Sequence, residues 1–221
     1  MNYTPEQIAA ALDLACLKPT ATKDDVKRTC ALANKHKIVS VCVAPVYVEL
    51  AASLHDNVSS VISFPHGNTI PYAKLKESLA AIDDGAKELD VVINYGRFLD
   101  GDYRIVSHEL KSICHIARRD GVKVKAILET CYYTPAQIRT ACELCVDAGV
   151  DWVKTSTGFA AGSSVTHHGA STHAVLDMLD TVNGTGVQVK ASGGITNRAT
   201  AEHYLELGCT RLGSSRFLEL L

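Results

Sequence analysis

Two lysines close apolar, strand-like runs in this sequence: Lys154 in DWVKTSTGF (151–159) and Lys190 in VQVKASGGI (187–195). Small residues, hydroxyl side chains and glycine follow each one, so each amine stands where a buried segment opens into a turn. A charge in such a place is costly unless it has a partner. A free lysine has a pKa of about 10.4 and is neutral in roughly one molecule in a few thousand near pH 7, so its proton silences it as a nucleophile. A second ammonium about 4 Å away, in an effective dielectric near 20, adds about 4 kcal/mol of repulsion, or roughly three pKa units. Partial desolvation acts in the same direction. With Lys190 beside it, Lys154 becomes an amine able to attack a carbonyl and form a Schiff base. A carboxylate must then keep Lys190 charged and pass protons, and Asp90 in ELDVVIN (88–94) is the candidate.

Strand side chains alternate in direction, so Glu88, Asp90, Val92 and Asn94 share one face of their run, and Lys123, Lys125, Ile127 and Glu129 share one face of theirs. Taken singly, each charge has a structural explanation. Asp90 can pair with one lysine, Lys125 and Glu129 can form an ion pair, and a strand-end lysine can reach water by its long stem. Taken together, several mixed charges directed into one apolar interior cost several kcal/mol of desolvation, which stability alone does not require.

The elements that must position these groups alternate along the chain. Short β-branched runs fall at 12–17, 38–44, 58–63, 88–94, 122–129, 151–154, 187–191 and 209–213. Helical patterns fall at 22–36, 72–86, 98–120, 134–149, 171–182 and 196–208, several opening on Thr or Ser and closing on Gly. After a short leading helix this makes about eight β/α units, the number that closes a (β/α)8 TIM barrel as a single domain over residues 1–221. An open doubly wound sheet is the rival, but the glycine fingerprint it carries after its first strand is absent. In a barrel, chemistry sits at the C-terminal ends of the strands, where Lys154 and Lys190 fall.

Composition excludes other classes. A net charge of −2 with scattered Lys and Arg gives no reason to expect nucleic acid or an anionic membrane as partner. Glu6 and Asp13 interrupt the first apolar stretch, so neither a signal peptide nor a membrane span is expected, and the location expected is cytoplasmic. The eight cysteines lie largely within apolar segments and read as reduced, with Cys142 and Cys145 as buried packing and not a zinc half-site. His167 and His168 are adjacent on a Ser/Gly-rich loop with no evident third ligand, so no metal is expected there.

The stretches VKTSTGF, VKASGGI, LDVVIN, KVKAILET, LKPTAT and GCTRLGSSR together resemble the deoxyribose-phosphate aldolases, class I aldolases built on a (β/α)8 barrel. The resemblance runs from about 12 to 216, and two lysine motifs in this order are specific to it. It implies that Lys154 is the Schiff-base lysine, Lys190 the partner that lowers its pKa, and Asp90 the proton-relay carboxylate. It also implies that Asp13, Cys42 and Lys125 line the same pocket. The implied reaction is reversible cleavage of 2-deoxy-D-ribose 5-phosphate to acetaldehyde and D-glyceraldehyde 3-phosphate, without metal or organic cofactor.

A phosphate needs a cradle, and the turns after the seventh and eighth strands can supply one from Gly193, Gly194, Ser214 and Ser215, with Gly158 from the sixth. Glycine lets backbone N–H groups approach an anion, and this is the usual phosphate position in barrels. A non-covalent isomerase and a silent sugar-phosphate-binding barrel are the remaining alternatives, because fold alone does not choose among them. The sequence also leaves room for a homodimer.

Overall fold

The computed structural model describes residues 3–160 and 169–220, so the His167 and His168 pair lies outside the described residues. Eight strands form the sheet: β1 (Leu12–Cys16), β2 (Ser40–Val43), β3 (Val58–Ile62), β4 (Glu88–Val92), β5 (Lys123–Ile127), β6 (Trp152–Lys154), β7 (Gln188–Ser192) and β8 (Arg211–Ser214). Each pairs in parallel with the next, and β8 returns to β1, so the sheet closes into a barrel as expected. The helices are α1 (Pro5–Ala10), α2 (Lys23–His36), α3 (Val48–Ala52), α4 (Pro71–Asp83), α5 (Tyr95–Leu99), α6 (Tyr103–Arg119), α7 (Pro135–Ala148), α8 (Thr172–Val182) and α9 (Arg198–Leu207).

Local chemistry sets these boundaries. Thr4, Thr22 and Thr134 each accept from the backbone three residues on while Gln7, Asp25 and Gln137 reach back to the cap, which satisfies otherwise orphaned donors at the starts of α1, α2 and α7. Gly149, at φ 81°, ends α7 in the left-handed region that costs glycine least. Two details differ from the sequence reading. The pattern over 98–120 is not one helix, because Gly101, at φ 76°, breaks it and α6 restarts after Asp102. After β2 the chain uses a 3-10 turn (Pro45–Tyr47) and the short α3, too brief for a helical period to register.

Alternation along the strands divides the molecule into two environments. Val41, Leu89, Val91, Val124, Ala126, Val153, Val189, Ala191 and Leu212 join the apolar layer between sheet and helices. Their neighbours point into the barrel, where branched apolar residues are usual. Here Asp13, Ser59, Glu88, Asp90, Lys125, Lys154, Lys190 and Arg211 are buried instead.

A separate ion pair lies outside the barrel. Lys74 of α4, fully buried, bonds Glu109 of α6 and donates to the carbonyls of Gly67 at 3.1 Å and Val92 at 2.8 Å. It fastens the carboxyl end of β4, two residues beyond Asp90. All eight cysteines are free, and Cys142 and Cys145 are buried in α7. Among the described residues no helix is long and apolar enough to cross a membrane.

Candidate active site

Barrel register brings the two lysines together. Lys154 on β6 is the direct cross-strand partner of Lys190 on β7, which in turn is level with Arg211 on β8. Asp90 on β4 is level with Lys125 on β5. Residues far apart in sequence thus become one inward cluster.

Oδ2 of Asp90 accepts from Lys154 Nζ at 2.8 Å and from Lys190 Nζ at 2.7 Å. Its other oxygen accepts from Lys125 Nζ and from Ser59 Oγ, each at 2.8 Å. Lys190 also bonds Asp13, and Lys125 bonds Glu88 and stands 3.3 Å from Asp13. Arg211 closes the network, donating to Asp13 at 2.6 Å and to Glu88 at 3.1 Å, its guanidinium 5.0 Å from the Trp152 ring centre. Among the described residues, three carboxylates (Asp13, Glu88, Asp90) therefore meet four bases (Lys125, Lys154, Lys190, Arg211). One base is in excess, and the charges balance when one amine is neutral.

The surroundings select which amine that is. Burial pushes the Lys154 amine down; Asp90 opposes this, and the Lys190 ammonium adds to it, leaving the pKa below the ordinary lysine value. Burial works against the Lys190 ammonium too, but Asp13 and Asp90 outweigh it and the pKa is raised. Lys125 is likewise raised, because Asp13, Asp90 and Glu88 overcome its burial. Burial would neutralise Asp90, yet Lys125, Lys154 and Lys190 hold its carboxyl well below the usual range. Lys154 carries the spare proton least willingly because it has one carboxylate partner where Lys190 has two.

This corrects the weighting drawn from the sequence. Repulsion from Lys190 is a contributor to the lowered Lys154 pKa, but desolvation is the largest cause. The Lys125 and Glu129 ion pair allowed for above does not form either: Lys125 turns to Asp13, Glu88 and Asp90, and Glu129 bonds Thr157.

A cavity of about 580 Å³ opens over the cluster, with Asp13, Cys42, Lys154 and Lys190 in its wall. Lys125 departs from the expected place: it is fully buried, level with Trp152 two residues below Lys154, under the cavity rather than lining it. The Cys42 thiol is pushed up to about 11 by burial and by Asp90, so it stays protonated near neutrality.

Gly158, Gly193, Gly194, Ser214 and Ser215 all line the same cavity. Gly193, at φ 80°, has no room for a side chain, since a Cβ there would lie 2.6 Å from Gly169 Cα. The Ser214 hydroxyl is committed within the protein, donating to Ile195 O at 2.7 Å and accepting from Arg216 N at 3.0 Å. It ties the turn after β7 to the turn after β8, while Ser215 is exposed to the cavity.

Several site groups escaped the sequence reading. Glu88 and Ser59 needed the neighbouring strands, although Glu88 shares the inward alternation of Asp90. Arg211 was signalled only by a charge inside a short apolar strand. Lys18, Arg28 and Arg216 bring positive charge to the cavity wall from loops and a helix whose approach no local pattern foretells.

A closed eight-stranded parallel barrel with paired buried lysines level on adjacent strands, Lys154 at the C-terminal end of β6 and Lys190 in the middle of β7, defines a barrel enzyme of the lysine-dependent aldolase class. The sequence profile of the DeoC/LacD family aldolases matches residues 8–206, and the chain belongs to that family. The deoxyribose-phosphate aldolase of Thermococcus gammatolerans is 42% identical over 214 residues, covering 94% of this chain and 92% of its own length. That of Aciduliprofundum boonei is 38% identical over 220 residues, covering 97% and 96%. The tetrameric deoxyribose phosphate aldolase from Aeropyrum pernix superposes with a TM-score of 0.88 at 31% identity, over 98% of this chain and 90% of that one.

Proposed function

We propose that this chain is a class I aldolase that reversibly cleaves 2-deoxy-D-ribose 5-phosphate to acetaldehyde and D-glyceraldehyde 3-phosphate through a Schiff base on Lys154. The observation that carries the residue roles is the shared oxygen of Asp90, bonded both to the lowered Lys154 amine and to the raised Lys190 ammonium.

In cleavage the neutral Lys154 amine adds to C1 of the open-chain sugar, and loss of water gives a protonated imine. The electron pair of the C2–C3 bond moves to the imine, forming an enamine, while the C3 hydroxyl loses its proton and C3 becomes the aldehyde carbon of D-glyceraldehyde 3-phosphate. Protonation of the enamine carbon and addition of water release acetaldehyde and restore the amine. Asp90 and Lys190, acting through a water, move these protons. Lys190 is the charged acid of the pair, and Asp90 Oδ2, bonded to both amines, links it to the reacting nitrogen. Asp13 holds Lys190 in its charged form. Gly158, Gly193, Gly194, Ser214 and Ser215 form the phosphate end, with backbone amides near the anion and Ser214 fixing the turns.

The eight free thiols fit a reducing compartment such as the cytoplasm. A homo-oligomer, with the homodimer as its smallest form, accompanies this reading, and light scattering tests it.

Borohydride reduction in the presence of acetaldehyde tests the chemistry. A stable adduct on Lys154 is the expected result. No adduct together with substrate-dependent proton exchange points to the isomerase reading instead, and ligand binding without turnover points to the silent barrel.

A further inference from the structure

Glu129 is a buried carboxylate that the chemistry above does not use. It follows β5, is 1% exposed, and takes φ 57° and ψ 62°, a left-handed conformation that strains a residue with a side chain. Such strain persists only where the surroundings impose it, and these do. On either side of it, Leu128 N donates to Lys154 O and Thr130 N donates to Thr155 O, each at 3.0 Å, fixing the chain against the residues that follow the reactive lysine. Between these two bonds the Glu129 carboxylate crosses to Thr157, accepting from its N–H at 3.1 Å and from its hydroxyl. The Thr157 hydroxyl donates to Glu129 and in turn accepts from Phe159 N at 3.0 Å. Gly158, at φ 84°, is held between them.

This relay sets the shape of the turn after β6. Thr157, Gly158 and Phe159 all line the cavity. The turn also bears on the glycine turn after β7, where a Cβ on Gly193 would lie 3.5 Å from Gly158 Cα. Asp90, and not Glu129, is the carboxylate bonded to Lys154. We infer that Glu129 is a positioning residue that holds the turn after β6 in the form that receives the phosphorylated end of the substrate, without taking part in imine chemistry. The inference rests on the aldolase reading for the identity of that substrate.

Two variants test it. Glu129→Gly accepts the left-handed backbone without strain and removes the tether, so a failure to fold does not obscure the result. Glu129→Gln keeps an acceptor oxygen for both Thr157 donors, while its amide nitrogen takes the place of the oxygen that faces Cys131. For Glu129→Gly we expect KM for 2-deoxyribose 5-phosphate to rise about tenfold or more, with kcat and the rate of acetaldehyde trapping on Lys154 within about threefold of wild type. KM for unphosphorylated 2-deoxyribose stays unchanged, and Glu129→Gln recovers most of the phosphorylated-substrate affinity. An unaltered KM in Glu129→Gly overturns the inference. So does an equal loss of acetaldehyde trapping, or a Glu129→Gln variant as impaired as Glu129→Gly. If the wild-type protein forms no acetaldehyde adduct, the aldolase reading falls. Calorimetric binding of D-glyceraldehyde 3-phosphate to the two variants then decides the tether by itself: weaker binding in Glu129→Gly alone upholds it, and equal binding overturns it.

Discussion

Lys154 and Lys190 are level on adjacent strands and donate to the same carboxylate oxygen, Oδ2 of Asp90, at 2.8 and 2.7 Å. Two amines so placed cannot both be charged cheaply. The second carboxylate, Asp13, falls to Lys190 and breaks the symmetry. The network is neutral when Lys154 has no proton, and of the two amines Lys154 is the one whose surroundings favour losing it.

That balance predicts opposite consequences for stability and catalysis at two lysines. Lys154→Met is expected to abolish turnover and adduct formation while changing the unfolding free energy by no more than about 1 kcal/mol, because it removes the base in excess over the three carboxylates and leaves each of them a cationic partner. Lys125→Met leaves Asp13, Glu88 and Asp90 short of a cation and costs about 3–5 kcal/mol. Urea unfolding of the two variants beside wild type measures the contrast, and equal losses would contradict the charge balance.

Lys190→Ala removes a cation that lowers the Lys154 pKa and leaves Asp90 to raise it. More of Lys154 is then protonated near neutrality. The rate of adduct formation should fall most at about pH 7 and recover as pH rises toward the ordinary lysine pKa of about 10.4. A rate that stays equally low across that range would show that Lys190 does not act through the protonation state of Lys154.

Asp13 and Asp90 titrate below the ordinary carboxyl range in the folded chain. The unfolded chain binds their protons first as pH falls, so the stability they contribute is complete above about pH 5 and is lost progressively below that, toward their folded values. Asp90→Asn should cost about 3–5 kcal/mol near neutrality by leaving Lys125 and Lys190 underpaired, and its stability should depend less on acid than that of wild type. Denaturant unfolding at a neutral and an acidic pH checks both effects.

Gly193→Ala would set a Cβ 2.6 Å from Gly169 Cα in a backbone conformation with φ 80°. The turn must move, so KM for the phosphorylated sugar is expected to rise about tenfold or more, with acetaldehyde trapping on Lys154 within about threefold of wild type. Steady-state kinetics beside the trapping assay distinguishes this from a general loss of the site.

The sequence by itself determined the barrel, because eight short β-branched runs between capped helices permit few other closures. It also placed Asp90 on one face with Glu88, and Lys125 on one face with Ile127, since a two-residue alternation is local, and it marked Lys154 and Lys190 because an amine at the end of an apolar strand is conspicuous; that these faces point inward was decided by the closing of the barrel. It could not determine which groups share an oxygen. That depends on the register between strands, which brings Ser59, Glu88 and Arg211 into the cluster and draws Lys125 toward them and away from Glu129. Nor could it rank burial above Lys190 as the cause of the lowered Lys154 pKa, since desolvation is a property of the closed barrel. The meeting of Gly158, Gly169 and Gly193 and the reach of Glu129 to Thr157 join separate loops, and only the packing of those loops against one another decided them.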